Sequence, residues 1–254
     1  MSLATLDFNR RVMHEARASE SINAALDGAL TAKRATQERR QYLGASAVGG
    51  SCERAIQFEY AGAPREKDFA PLTLRKFDFG HIGEELARAW FGDAGFLLTQ
   101  RNQRTGELYS FAQLDGRFKG HPDGVFIGGP ALPGVGYPCL WECKSTGAKT
   151  YRDIEKNGLK AARPGYYAQV AIYQAYLGLT EHPAIFTVTN LDSGEQLHLL
   201  LPFDAAEAQR ISDRAVRIIS STDAGDLLPR PFNSRDHFEC RMCSFAVRCW
   251  AQPS

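Results

Sequence analysis

No run of apolar residues in this sequence is long enough to cross a bilayer. The stretch from Met1 to Arg11 is polar and charged and lacks the apolar centre of a secretory signal. Both absences lead to the expectation of a soluble protein of the cytoplasm. An excess of basic charge is missing too: 30 Lys and Arg stand against 29 Asp and Glu, a formal charge of +1. Any grip on nucleic acid must therefore come from local patches and metal-bridged phosphates. Internal repeats and low-complexity tracts are absent. Gly147-Ala148-Lys149-Thr150 has the end of a phosphate loop but not its first glycine at the required spacing, so ATP hydrolysis is not expected. What remains is 254 residues, 44% hydrophobic and 23% charged, enough for one large domain or one domain with an appendage.

The chain is organised around Gly120 to Ser145. Val125-Phe126-Ile127 and Tyr137 to Leu140 are apolar runs separated by a Gly/Pro-rich turn, which reads as a β-hairpin. Alternation along the second strand puts Glu142 and Lys144 on one face and Cys143 on the other. Asp123 enters at the start of the partner strand. If the register allows, two carboxylates and an ammonium converge. Carboxylates are natural ligands of Mg²⁺ or Mn²⁺, such an ion activates water and polarises a phosphoryl oxygen, and the lysine can orient that water or offset charge on the phosphate. The plain alternative is an edge-strand salt bridge beside a turn aspartate.

Around the hairpin, helical spacing runs from Leu6 to Leu30, followed by a polar, basic helix or exposed arm from Thr31 to Gln41. Its cations read as a solvated face or, alternatively, a phosphate-contacting one. Ser51 suits the N-cap of a helix through Tyr60. Leu72 to Phe91 reads as a long amphipathic helix, interrupted near Gly80 and Gly83, with Gly80 allowing close approach of backbone or substrate. Leu97–Arg101 and Glu107–Leu114 are expected to join the hairpin in a mostly antiparallel sheet. A short helix at Thr150–Asn157 precedes a stronger one at Pro164–Leu177, closed by Gly178. Gln169 and Tyr173 share a face of that helix. A second hairpin turns around Asp192-Ser193-Gly194, and an amphipathic helix runs from Ala205 to Ile219.

Six cysteines are present. Cys240-x-x-Cys243-x5-Cys249 in a polar tail reads as metal ligation in a reducing compartment, with disulfides a distant alternative. Cys52 is the best fourth ligand, and tetrahedral zinc suits such a set. Cys139 and Cys143 read as buried fillers on the face opposite Glu142 and Lys144.

Pro122-Asp123 followed by Glu142-x-Lys144 resembles the motif of the PD-(D/E)XK nuclease superfamily. Gln169-Val170-Ala171-Ile172-Tyr173 resembles the Q-x-x-x-Y element of its RecB-like branch, and Gly80-His81-Ile82-Gly83-Glu84-Glu85 the helix that supplies a further acidic or histidine ligand there. One distant cysteine plus three at the C-terminus is similar to the iron–sulfur staple of CRISPR-associated and helicase-linked repair nucleases of that branch. The resemblance runs from about Gly44 to Trp250. It implies an α/β restriction-endonuclease-like core, αβββαβ, with a mixed central sheet flanked by helices and a cysteine-ligated C-terminal staple. That nuclease domain would span residues 44–254, behind an N-terminal helical segment of residues 1–43.

The resemblance also implies roles. Asp123, Glu142 and the backbone carbonyl of Cys143 would hold Mg²⁺ or Mn²⁺, with Glu84 and His81 completing the rim. Glu84 paired with Arg88 on the helix surface is the competing reading. Lys144 would position water, and Gln169 and Tyr173 would orient the lysine or the scissile phosphate. Cys52, Cys240, Cys243 and Cys249 would hold a structural 4Fe–4S cluster, zinc being the alternative. The expected activity is metal-dependent DNA hydrolysis, as an exonuclease acting on single strands or duplex ends. Any strand separation falls to a helicase or recombination partner or to a pre-existing end. The competing classes are a non-catalytic DNA-binding or assembly module and a zinc-stapled RNA-processing enzyme.

Overall fold

The computed structural model describes residues 8–252. Leu6, where the first helical periodicity begins, lies outside the described residues. In chain order the elements are α1 (Phe8–Ala35), β1 (Leu43–Gly44), α2 (Ala45–Val48), α3 (Glu53–Tyr60), α4 (Pro71–Asp93), β2 (Leu97–Thr99), β3 (Phe111–Gln113), β4 (Phe118–Gly120), β5 (Gly124–Gly128) and β6 (Cys139–Thr146). There follow α5 (Ala148–Asn157), α6 (Leu159–Ala162), α7 (Pro164–Leu177), β7 (Ala184–Asn190), β8 (Gln196–Leu201), α8 (Ala205–Ala224), α9 (Phe238–Met242) and α10 (Ala246–Trp250). Among the described residues no helix is long and apolar enough to cross a membrane.

Among the described residues the chain forms two compact units, one from residues 8–39 and 68–78, the other from residues 40–67 and 79–252. Within the first, Arg75 ion-pairs with Asp27, Arg34 lies 3.8 Å from Asp68, and the rings of Phe69 and Phe77 meet edge to face at 5.1 Å.

The second unit is built on a five-stranded sheet of order β2-β5-β6-β7-β8. Only β6 and β7 run parallel. Two parallel neighbours cannot be joined by a tight turn, and α5, α6 and α7 make the crossover. β7 is buried along its whole length. On one face of the sheet Leu140, Val125, Phe186 and Val188 pack with Ile172 of α7 and Ile211 and Ile218 of α8. On the other face Phe126, Cys139, Trp141, Cys143 and Ile185 pack with Ala87 of α4, and Phe91 joins them. The strand alternation expected for β6 therefore holds, and both cysteines are buried fillers on the face opposite Glu142.

Several local expectations need correcting. The cap of α3 is Cys52 rather than Ser51, and no side chain bonds there. α4 is continuous through Gly80 and Gly83. The close approach falls at Gly83, where a Cβ would collide with Ser145 Oγ, while Gly80 faces open space. The strand expected at Glu107–Leu114 leaves the main sheet: only Phe111–Gln113 is extended, in a small side sheet of order β1-β4-β3. The start of α5 at Gly147-Ala148 is occupied by Asp192, whose carboxylate accepts the Ala148 N–H at 2.7 Å.

Candidate active site

The β5–β6 register pairs Gly124 with Trp141 and Phe126 with Cys139. One step further places Asp123 opposite Glu142, so the hairpin itself brings the two carboxylates together. Asp123 Oδ2 accepts the Cys143 N–H at 2.8 Å. Lys144 Nζ lies 2.5 Å from Glu142 Oε1 and 3.6 Å from Asp123 Oδ2, and donates to the Cys143 carbonyl at 3.0 Å. The three side chains that the sequence singled out thus meet at one point.

The crossover helix supplies the next layer. Pro164 opens α7 and Gly178, in the left-handed region at φ 68°, closes it. Gln169 and Tyr173, one turn apart, both turn to the site. Gln169 Nε2 donates to Glu142 Oε1 at 2.6 Å, and the Tyr173 hydroxyl donates to the His121 carbonyl at 2.8 Å.

Glu142 is wholly buried, and its second oxygen, Oε2, has no hydrogen-bond partner. Burial, reinforced by the charge of Asp123, pushes its pKa up to about 8. Burial pulls the Lys144 ammonium the other way, but the charges of Glu142 and Asp123 outweigh it and raise its pKa. Lys144 is the cation of the pair; Glu142 is a carboxylate short of positive charge. Glu84, on α4, is raised by burial and then by Asp123, against Arg88, Lys144 and His81. Its carboxylate pairs with Arg88 Nη2 at 2.5 Å. Glu84 therefore sits within electrostatic reach of the carboxylates while also making the helix-surface pair.

A cleft of about 360 Å³ opens over Asp123, Glu142 and Lys144, and His81, Gln169 and Tyr173 line it. Sequence reasoning missed part of its wall. Tyr42 stands between Arg40 at 5.1 Å and Lys119 at 5.3 Å, each cation over its ring, and all three line the cleft with Ser46 and His121. Arg40 carried a signal as part of the basic stretch. Lys119 and Tyr42 carried none, because parallel pairing of β1 with β4 brings them together.

Among the described residues, no three His, Cys, Asp or Glu side chains stand in ligating geometry. The donor chemistry nevertheless fits a hard divalent ion. An unpartnered buried carboxylate oxygen beside a second carboxylate lacks positive charge, and oxygen donors are what Mg²⁺ and Mn²⁺ take. The tail cysteines form a second group. Burial raises the Cys52 thiol, and the nearby Cys249 and Cys240 raise it further. Cys243 is raised by burial and then by Cys52, Cys249 and Cys240.

No family model matches the chain, and no curated protein matches it. Among solved structures, an alkaline exonuclease (LHK-Exo) from Laribacter hongkongensis aligns at 17% identity and a TM-score of 0.50, over 74% of this chain and 90% of that one. The same exonuclease in complex with dAMP aligns over the same shares, again at 17% identity, with a TM-score of 0.52. The structure of a protein designated SSO0001 aligns at 17% identity over 92% of this chain and 98% of that one, with a TM-score of 0.47. The chain thus shares the α/β fold of that alkaline exonuclease.

Proposed function

We propose that this protein is a metal-dependent DNA nuclease, acting as an exonuclease. The observation that carries the reading is the meeting of Asp123, Glu142 and Lys144 at the floor of an open cleft. Asp123, Glu142 and the Cys143 carbonyl would hold Mg²⁺ or Mn²⁺, with Glu84 and His81 at the rim. Such an ion, when bound, supplies Lewis-acid polarisation of the phosphate and acidifies water.

The rest falls to the chain. Lys144 presents its ammonium between the two carboxylates, where it can align a water and offset charge building on the phosphate. Gln169 holds Glu142 Oε1, leaving Oε2 as the free donor atom. Tyr173 ties α7 to the His121 backbone and so fixes the entry of Asp123. Arg40 and Lys119 add positive charge along the cleft wall. DNA as substrate is supported by the shared fold with an exonuclease crystallised with dAMP.

Cys52, Cys240, Cys243 and Cys249 would hold a 4Fe–4S cluster as a structural staple, with zinc as the alternative occupant. A helicase or recombination partner would supply strand separation.

The test is cleavage of end-labelled linear single- and double-stranded DNA with Mn²⁺. Glu142→Ala and Lys144→Ala are each expected to lose at least a hundredfold in rate while staying folded and coloured. Undiminished cleavage by either variant would refute the assignment. DNA binding by the wild type without cleavage would favour a docking module.

A further inference from the structure

Away from the carboxylate cleft, a second cavity of about 470 Å³ lies between the start of α3, α8 and the segment Leu228–Pro231. Arg214, Arg217 and Arg230 line it against one carboxylate, Glu53. Glu53 is already engaged: it accepts from Arg217 Nη2 at 2.6 Å and Nε at 3.0 Å. Its Oε1 also lies 3.2 Å from Arg214 Nε. Arg210, one turn earlier on α8, is neutralised by Glu207, which it grips at 2.8 and 2.6 Å. Three lining arginines less one glutamate leave the cavity an excess of two positive charges.

Arg214 is the telling member. It is only 7% exposed, and its Nη2 donates to the Gly50 carbonyl at 2.6 Å. Its buried Nε makes no hydrogen bond, since the approach to Glu53 is off line. Arg230 closes the far wall with its guanidinium fixed, donating to the Cys249 and Gln252 carbonyls and lying 4.5 Å over the Trp250 ring. A rigid cluster of guanidinium groups with spare donors suits the oxygens of a phosphate.

The cavity also lies close to the cleft. Ser46 lines the cleft and Ser51 the second cavity. Five residues of chain reach at most about 18 Å when extended, and less with Ala45–Val48 coiled as helix. Along the connecting segment Ser46, Gly50 and Ser51 are exposed, while Ala45 and Val48 are buried.

We propose that Arg214, Arg217 and Arg230 form a second phosphate site. It takes a backbone phosphate of the DNA strand whose scissile phosphate lies in the cleft, up to about five nucleotides away at ~3.4 Å of rise each. This rests on the nuclease reading above. Free inorganic phosphate offers the arginines the same oxygens, and the experiment separates the two sources.

The variants are Arg217→Gln, which can still bond Glu53, and Ser51→Asp, which adds a negative charge at the exposed mouth. Binding of labelled single-stranded oligonucleotides of two and eight nucleotides is measured by anisotropy across a salt series with divalent ions chelated. In parallel, melting temperatures are measured against inorganic phosphate. For the eight-nucleotide strand both variants are expected to lose about tenfold in affinity, and Arg217→Gln to lower the salt slope by about 0.7. The loss should vanish for the dinucleotide, which cannot bridge the two sites.

Equal affinities of wild type and both variants for the longer strand overturn the proposal. So does a phosphate-induced stabilisation that depends on Arg217 while DNA binding does not, which would mark a free-phosphate site. A wild type that binds no DNA of any length and cleaves none with Mn²⁺ overturns the nuclease reading, and this proposal with it. Cleavage intact in all three proteins with unchanged affinities overturns the second site alone.

Discussion

The buried Glu142 dominates at the scale of single residues. Its pKa in the folded chain, about 8, lies above the ordinary 4.5 because burial and the Asp123 charge disfavour the carboxylate. A raised value means that the folded state holds a proton the unfolded chain gives up. The stabilisation is therefore fully present below pH 4.5 and is lost as pH rises through about 8. In chelator, wild type is expected to lose on the order of a few kcal/mol across that window relative to Glu142→Gln. Thermal melts at several pH values check this, and parallel curves for the two proteins would contradict it. The meeting of Asp123, Glu142 and Lys144 was legible because strand alternation and the hairpin register leave few other arrangements. Tyr42 and Lys119 were not legible, since pairing of β1 with β4 is a tertiary event.

Among the elements, α4 gives the sharpest contrast. Gly83 has Ser145 of β6 against it, whereas a Cβ at Gly80 meets nothing within 4 Å. Gly80→Ala should stabilise the helix by about 1 kcal/mol. Gly83→Ala must turn the Ser145 hydroxyl aside and sets the new methyl 3.3 Å from Ser145 Cβ, so it is expected to lower the melting temperature and to disturb Glu84 beside Asp123, with a loss of cleavage that Gly80→Ala does not show. Equal behaviour of the two variants would mean that α4 is not seated on the sheet at Gly83. The sequence placed close approach of backbone or substrate at Gly80, whereas the protein contact falls at Gly83, because periodicity does not say which face meets the sheet. The ends of α7 were legible, since Pro164 and Gly178 act locally. The side sheet was not, as three strands of two or three residues carry almost no pattern.

Asp204 caps α8, accepting the Glu207 N–H at 3.0 Å, and also bonds Lys160 at 2.8 Å and the Tyr167 hydroxyl at 3.0 Å. Lys160 first, then the Glu207 N–H, hold its pKa down to about 2. A lowered value gives stability that is present above the ordinary 3.8 and lost as pH falls through about 2. Asp204→Ala should cost ~1 kcal/mol near neutral pH, and the deficit should shrink on acidification toward pH 2. A deficit that stays constant between pH 6 and pH 2 would assign the loss to packing instead.

At the scale of the molecule, the question is what holds the C-terminal tail to the early part of the chain. Polar bonds already do part of it. Gln57 of α3 donates to the Asp226 carbonyl at 2.6 Å and accepts the Leu228 N–H at 2.9 Å. Glu66 caps the start of α10, accepting the Val247 and Arg248 N–H groups at 2.9 and 2.6 Å. Phe58 packs on Phe245 at 5.6 Å between ring centroids. A centre shared by Cys52 and the three tail cysteines would close a loop of roughly 190 residues, worth on the order of 5 kcal/mol if nothing else restrained the chain. Because other bonds restrain it, the gain must be smaller, and loss of the centre should loosen the tail without melting the sheet. Cys249→Ser is therefore expected to lack the brown colour and iron that the proposed cluster would give the wild type and to be a few kcal/mol less stable, while far-ultraviolet circular dichroism at 25 °C stays near that of wild type. A wild type that is colourless and carries zinc would replace the iron–sulfur cluster with the tetrahedral alternative. A Cys249→Ser variant with full iron content would remove Cys249 from the ligand set, and a global loss of helix and sheet signal would show that the tail is integral to the core rather than stapled onto it.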